Sequence, residues 1–399
     1  MYPVSSSIVD LERLNRSPVG ELVPITGHDA RHGDFAFFAY LPRPLPDDID
    51  LASSTWTKVA QASNALGRLD QLCAQLPDPS LIIRPALFRE ALDTSALEGT
   101  VGVLRDLLEA QLPNAPYASR ETVEINAYVA VAMMAFEMIS EREISVGFLC
   151  ELQARLFRDT EDKPEDIGRP RRNQVWIGEK NRPIQEARFV PPPPDDRLRS
   201  GLDSWQGWVQ SEHQNLDPLV RAAMAHYQFE TLHPLGDGNG RIGRLTVILQ
   251  LLKSGVIKQP AITLSPWLLK NRAQYQDELL AVSCTGNWNP WVSLLCEAVT
   301  AQCGSLILGA QRLIDWLAES RRKLDRRRWT GVIYRVLEGL VEWPVTSASS
   351  IAERYKIASP SANSIIGHLV EEAILTELTG RSYGRSFGAL EIMRIVEEI

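Results

Sequence analysis

From Leu51 onward, apolar residues recur at i, i+3, i+4 and i+7 through most of the chain, the spacing of helices with one buried face. The pattern predicts helices near 55–75, 84–96, 100–111, 119–140 and 143–158, the last reading ISVGFLCELQARLFR. It resumes at Leu198, with Trp205 and Trp208 on one face. It then runs through DPLVRAAMAHYQFETLH, RLTVILQLLKSG, PWLLKNRAQYQDELLAV and the long stretch from Trp288 to Leu324. The ten tryptophans are spread along these segments and are expected in the core. The predicted class is all-α.

Three stretches depart from that pattern. Residues 1–50 are irregular and read as an extended arm, anchored by Phe35, Phe37, Phe38 and Tyr40. Between Thr160 and Pro194, β-type residues flank a polar centre and four prolines follow. This predicts a hairpin over 172–190 with a mobile tip, closed by a stiff extended segment. After the charged break RRKLDRRR, residues 330–399 read as helix, short turn and helix, then two short strands around a Gly/Arg-rich loop. That order is a winged helix-turn-helix pattern. The expected divisions are an arm (1–50), N-terminal helices (51–158), a core (159–320) and a C-terminal domain (330–399).

Composition narrows the partners. With 44% hydrophobic residues and 23% charged ones, the chain has an ordinary globular composition. Its net charge of −8 disfavours nonspecific binding to nucleic acid or anionic membranes. Five scattered cysteines without a CxxC predict reduced thiols, and with them a cytoplasmic protein. No basic-then-apolar leader opens the sequence, and runs such as TVILQLL are too short to span a bilayer. The expected recognition helix, SPSANSIIGHLVEE, has no Lys or Arg. Basic side chains occur only at Arg381 and Arg385 in the wing and in the preceding linker, so protein interaction is favoured there over DNA binding.

The densest chemistry is HPLGDGNGRIGR, from His233 to Arg244. One helix should begin at Pro218 and stop at His233, because the residue before a proline avoids helical dihedrals. Another should begin near Asn239 and end by Gly255. The glycines between them then sit at a helix N-terminus, where backbone N–H groups and the helix dipole favour an anion. Arg241 and Arg244 are unfavourable at that positive end unless a polyanion binds them. Asp237 offers an oxygen for Mg²⁺ and His233 a base for a hydroxyl. Together these residues describe phosphoryl or nucleotidyl transfer. A tight interhelical turn capped by Asp or Asn would account for Asp237 and Asn239, but not for His233 or the arginines. A zinc site at His226 and His233 lacks the HxxxH or HExxH spacing, so His226 is expected to be packed.

This stretch resembles the Fic family signature, H-x-F-x-D/E-G-N-G-R-x-x-R, with Leu235 in place of its Phe. The resemblance implies an all-α Fic-type core carrying a β-hairpin flap, followed here by the winged-helix domain. It further implies transfer of AMP from ATP, with Mg²⁺, to a Ser, Thr or Tyr hydroxyl of a protein. His233 would deprotonate that hydroxyl and Asp237 would hold Mg²⁺. Gly238, Asn239, Gly240, Arg241, Gly243 and Arg244 would bind ATP, with Arg244 on the γ-phosphate. The flap would hold the protein target as an added strand, and the family admits a homodimer. On the adenine side, Tyr275 matches a family tyrosine, whereas Gln276 and Ser283 stand where a second tyrosine and an Asn are usual.

TSALEGT, at 94–100, resembles the family's inhibitory motif as Thr94, Glu98 and Gly99. In the family this Glu pairs with the second arginine, here Arg244, in the seat of the γ-phosphate, so Glu98 also belongs to the ATP site. The competing reading of Ser95-x-x-Glu98 is a capping box at a helix start. Two other functions stay open: removal of AMP from a modified protein by the same fold, and a winged-helix regulator or toxin-like scaffold.

Overall fold

The computed structural model describes residues 9–76, 78–113, 115, 118–160, 163–179, 181–211, 215–380 and 383–399. The chain opens with α1 (Leu11–Asn15), β1 (Gly20–Asp29) and β2 (Gly33–Pro42). Helices α2 (Ser53–Gln75), α3 (Ser80–Leu97), α4 (Leu104–Glu109), α5 (Arg120–Met138) and α6 (Val146–Leu156) follow. Then come α7 (Asp196–Gln210), α8 (Pro218–Leu232), α9 (Asn239–Lys253), α10 (Ser265–Lys270), α11 (Arg272–Thr285) and α12 (Trp288–Arg326). The chain closes with α13 (Val332–Gly339), β3 (Val345–Thr346), α14 (Ala348–Tyr355), α15 (Ser359–Glu371), β4 (Thr376–Glu377), β5 (Phe387–Gly388) and α16 (Leu390–Glu398). Two compact units result. The first comprises Met1–Gly67, Ala130–Lys258 and Trp267–Thr300; the second comprises Arg68–Val129, Gln259–Pro266 and Ala301–Ile399.

In the first unit, the expected extended arm is a regular hairpin, with β1 and β2 paired antiparallel from Gly20↔Pro42 to Asp29↔Gly33. Asp29 accepts the N–H groups of Arg31 and His32, and Gly33 takes a positive φ, so the turn is fixed locally. Of the four aromatic anchors, Phe35 and Phe37 are half-buried and Phe38, between Phe37 and Ala39, is 44% exposed, because alternate residues of a strand face opposite ways, while Tyr40 near the strand's end is buried. Gly20 makes room for Tyr40: a Cβ there would lie 2.2 Å from the phenol ring.

The expected hairpin over 172–190 is reduced to one antiparallel bridge, Ile177↔Phe189, beside a short 3-10 turn at Ile184–Glu186. Pro183 and the prolines after Val190 carry no N–H, so a longer ladder cannot form. The N-terminal segment pairs with it instead: Val9 N–H donates to Ala187 O and Tyr40 N–H to Val190 O, each at 2.8 Å. Val9, Ile25, Tyr40, Phe189 and Val190 share one small core.

Helix α8 is the axis of this unit. Ala222, Ala223 and Ala225 are fully buried, and small residues let neighbouring helices come close. The indoles of Trp205 and Trp291 donate to its carbonyls at Ala225 and Ala223. Not every tryptophan is core, as Trp56 is 41% exposed. Helix α12 is long and apolar enough, by length and composition, to cross a membrane, which the short apolar runs do not suggest. Its apolar window is 56% buried inside the fold, as a core helix would be.

In the second unit, the carboxylate of Glu90 on α3 is buried but satisfied by Leu264 N–H, Ser265 N–H and Ser265 Oγ. At the C-terminal end, β3, β5 and β4 form a three-stranded antiparallel sheet in that order. Ser347 caps α14, and Trp343 packs against the guanidinium groups of Arg84 and Arg354. Arg385 pairs with Glu377 at 3.4 Å, while Arg381 lies outside the described residues. All five cysteines are free and buried, and burial pushes the thiols of Cys296 and Cys303 up to about 12.

Candidate active site

The site residues from His233 to Arg244 all lie in the first unit, on the turn between α8 and α9. Asp217 caps α8 through Leu219 N–H, with Pro218 in the first turn. The helix stops at His233, which takes left-handed dihedrals (φ 47°, ψ 58°) while its N–H still bonds Phe229 O. A non-glycine residue in that region is uncommon, and such residues collect at functional sites. The His233 imidazole Nδ1 is 3.3 Å from Glu230 O. A carbonyl can only accept, so this contact places a proton on Nδ1, and in the neutral ring Nε2 is then the basic nitrogen.

The turn is closed by one side chain. Asn239 accepts the N–H of Leu235 and donates to its carbonyl, both at 2.8 Å. Leu235 itself is buried, so the apolar exchange at that position fits the core. Gly238 supplies the N-cap of α9 at φ 83°, and no side chain caps the helix. The side-chain cap which that reading requires is absent: Asn239 faces back into the turn, and Asp237 accepts the N–H of its neighbour Gly238. The first-turn amides of α9 remain the anion-seeking end of the helix.

Arg241 and Arg244 are 3% and 2% exposed, two buried cations in the first two turns of α9. Arg241 lies over the Phe157 ring and 3.6 Å from Asp237 Oδ1. Gly243 lets α9 approach α8: a Cβ would stand 2.3 Å from Glu230 Oε1 and 3.3 Å from His226 Cε1. His226 is packed as expected, in a cluster with Tyr275 and Trp291 whose ring centroids are 5.8–6.0 Å apart, and its Nε2 is 2.8 Å from the Tyr275 hydroxyl. Burial, reinforced by the charge of Arg244, pulls its imidazole down to about 3. Ser283 bonds the buried Tyr227 hydroxyl at 2.9 Å, and Tyr275 is itself buried. Among the described residues, no group of three or more His, Cys, Asp or Glu could hold a metal.

Two supporting residues carry no sequence signal. Gln153 on α6 accepts the Gly168 N–H and donates to Asp237 O, tying α6 to the turn. Arg171, buried, donates to carbonyls on both sides of His233. Nothing in the run RRNQ distinguishes Arg171 from Arg172, which is 62% exposed and pairs with Asp166.

Glu98 lies in the second unit. It is the C-cap of α3, with Gly99 at φ 97° and Thr100 N–H returning to Ser95 O. Ser95 and Glu98 therefore close a helix rather than start one, and the capping-box reading is excluded.

Residues 143–251 match the Fic/DOC family, and residues 56–137 match the Fic/DOC family N-terminal region. A Caenorhabditis elegans protein named protein adenylyltransferase fic-1 is 30% identical over 226 residues, 54% of this chain and 40% of that one. A Drosophila ananassae protein named protein adenylyltransferase Fic is 27% identical over 219 residues, again 54% of this chain and 40% of its own length. The chain thus spans about two fifths of these curated relatives. In fold, it resembles the crystal structure of a Fic family protein from Desulfovibrio desulfuricans G20, with a TM-score of 0.54 and 20% identity over 86% of this chain and 97% of that one. The turn from His233 to Arg244 and the helices that hold it are therefore those of a Fic/DOC family domain, which this chain carries behind the family's N-terminal region.

Proposed function

We propose that the protein is a protein adenylyltransferase, moving AMP from ATP to a Ser, Thr or Tyr hydroxyl of a protein. The observation that carries this is the uncapped N-terminus of α9. Two buried arginines follow it, and a histidine turned out of helical geometry precedes it. The names of the relatives support the same chemistry.

In this reading, the amides of Gly238, Asn239 and Gly240 bind phosphate oxygens, and Arg241 and Arg244 bind the outer phosphates. His233 Nε2 takes the proton of the acceptor hydroxyl. The hydroxyl oxygen bonds to the α-phosphorus, the α–β bridging bond breaks, and pyrophosphate leaves. Asp237 fits a magnesium site: its carboxylate is 58% exposed at the lip of the turn. Mg²⁺ asks for only one or two carboxylates beside phosphates and water. Bound there, the ion would neutralise phosphate charge.

Residues 172–190 act as the flap that presents the target. Glu98 acts as the inhibitor, its carboxylate competing with the γ-phosphate for Arg244. The position of Glu98 at a helix end, rather than in a capping box, supports this role. The order α13, β3, α14, α15, β4, β5 supports a winged helix-turn-helix that binds protein. The test is incorporation of labelled AMP: weak for the parent chain, strong for Glu98→Gly and absent for Glu98→Gly with His233→Ala. Equal incorporation in all three defeats the assignment.

A further inference from the structure

Arg171 is 3% exposed and, among the described residues, has no carboxylate partner. Its Nε donates to His233 O at 2.8 Å, and its Nη2 to Leu232 O at 3.4 Å and Pro192 O at 2.5 Å. Its Nη1 donates to Asn173 O at 3.1 Å, and its own N–H donates to Pro234 O at 2.8 Å. Burial pulls the guanidinium down to about 10, so it stays a cation at neutral pH. A buried cation held only by carbonyls is costly unless a negative field offsets it. The carbonyls of Leu232 and His233 supply one, because they form the negative end of α8.

These acceptors have a common meaning. Leu232, His233 and Pro234 set the backbone of the base. Asn173 and Pro192 lie at the two ends of the flap, whose bridge joins Ile177 to Phe189. One rigid fork therefore fixes the base and both ends of the flap. We infer that Arg171 is a positioning residue for AMP transfer, holding the imidazole of His233 in register with the acceptor segment on the flap. The role rests on the function proposed above for His233 and the flap. It touches neither ATP nor the acceptor hydroxyl, so its loss should affect the transfer step rather than nucleotide binding.

The test places Arg171→Lys in the Glu98→Gly chain. Lysine keeps the charge, but a single ammonium has three donors and no planar fork. Four readings are taken: AMP incorporation, the KM for ATP, and two signals that need no turnover. The latter are the ¹⁵N shifts of the His233 ring and amide exchange in residues 173–192. The expected result is a loss of incorporation of roughly 10- to 100-fold, the scale of a misplaced reactive group, with KM for ATP within about twofold. The Nδ1–H signature of His233 becomes mixed, and flap exchange quickens by about tenfold. A Lys variant with parental ring shifts and parental flap exchange overturns the inference. So does one that fails to fold, or that loses ATP affinity in step with rate, because the arginine is then structural. Should the Glu98→Gly parent itself transfer no AMP, the function proposed above falls, while the ring shifts and flap exchange still decide the role of Arg171.

Discussion

The carboxamide of Asn239 grips Leu235 at both of its backbone groups, accepting from the N–H and donating to the carbonyl at 2.8 Å. One side chain thus fixes the turn that delivers the amides of α9. Asn239→Ala loses both bonds in a buried setting and should cost about 1–3 kcal/mol of stability. Asn239→Asp keeps the acceptor but sets a carboxylate against the Leu235 carbonyl and among the phosphate-binding amides. Calorimetry with ATP should show at least tenfold weaker binding for the Asp variant than for the Ala variant. Equal affinities would mean that the turn does not face phosphate.

His226 gives a pH signature. Its imidazole is pulled down to about 3 in the folded chain by burial and by Arg244, against about 6.5 when unfolded. Above about pH 6.5 it is neutral in both states and contributes no pH dependence. As pH falls below that value, only the unfolded chain takes up the proton, so stability is lost progressively down to about pH 3. Between pH 7 and pH 5 the loss from this group should be about 2 kcal/mol in urea unfolding. His226→Phe should remove that part of the slope; an unchanged slope would place its origin elsewhere.

Gly243 lies where α9 meets α8, with Glu230 Oε1 2.3 Å from the position of an added Cβ. Gly243→Ala should push the helices apart and cost about 1–3 kcal/mol, the usual effect of overpacking. Far-UV circular dichroism should show the helices kept, with a lowered unfolding midpoint. A midpoint at or above the parent's would show that Glu230 moves aside freely.

The N-terminal hairpin supports the flap from outside. His32 Nε2 is 3.2 Å from Asn181 O, and the Phe35 and Trp176 rings meet edge to face at 6.2 Å. His32→Ala together with Phe35→Ala should raise amide exchange at Ile177 and Phe189 by about tenfold while leaving α8 and α9 protected. Exchange confined to the turn of the hairpin itself would contradict that support.

Much of the core was legible in sequence. The helical periodicity located α2, α3, α5, α6, α8 and α9, and Pro218 and the His233-Pro234 pair marked the ends of α8. Signals of charge and backbone freedom gave the turn at Gly238 and the arginines behind it. What escaped depends on partners distant in sequence. The first fifty residues offer few periodic cues, yet β1 and β2 pair as a hairpin whose second strand is tied to a distant segment by the Tyr40 N–H to Val190 O bond. The flap promised a ladder of its own, but prolines left it one bridge and a borrowed partner. Arg171 and Gln153 are ordinary surface types in composition, and only the fold turns them inward.

The central claim is that α9 opens onto the phosphates of a nucleotide beside His233. The most direct test is a crystal structure of the Glu98→Gly chain with Mg²⁺ and a non-hydrolysable ATP analogue. The account predicts phosphate oxygens within hydrogen-bond distance of the Gly238–Gly240 amides, the outer phosphates on Arg241 and Arg244, and the α-phosphate facing His233 Nε2. Nucleotide density elsewhere on the molecule, or none at saturating concentration, would contradict it.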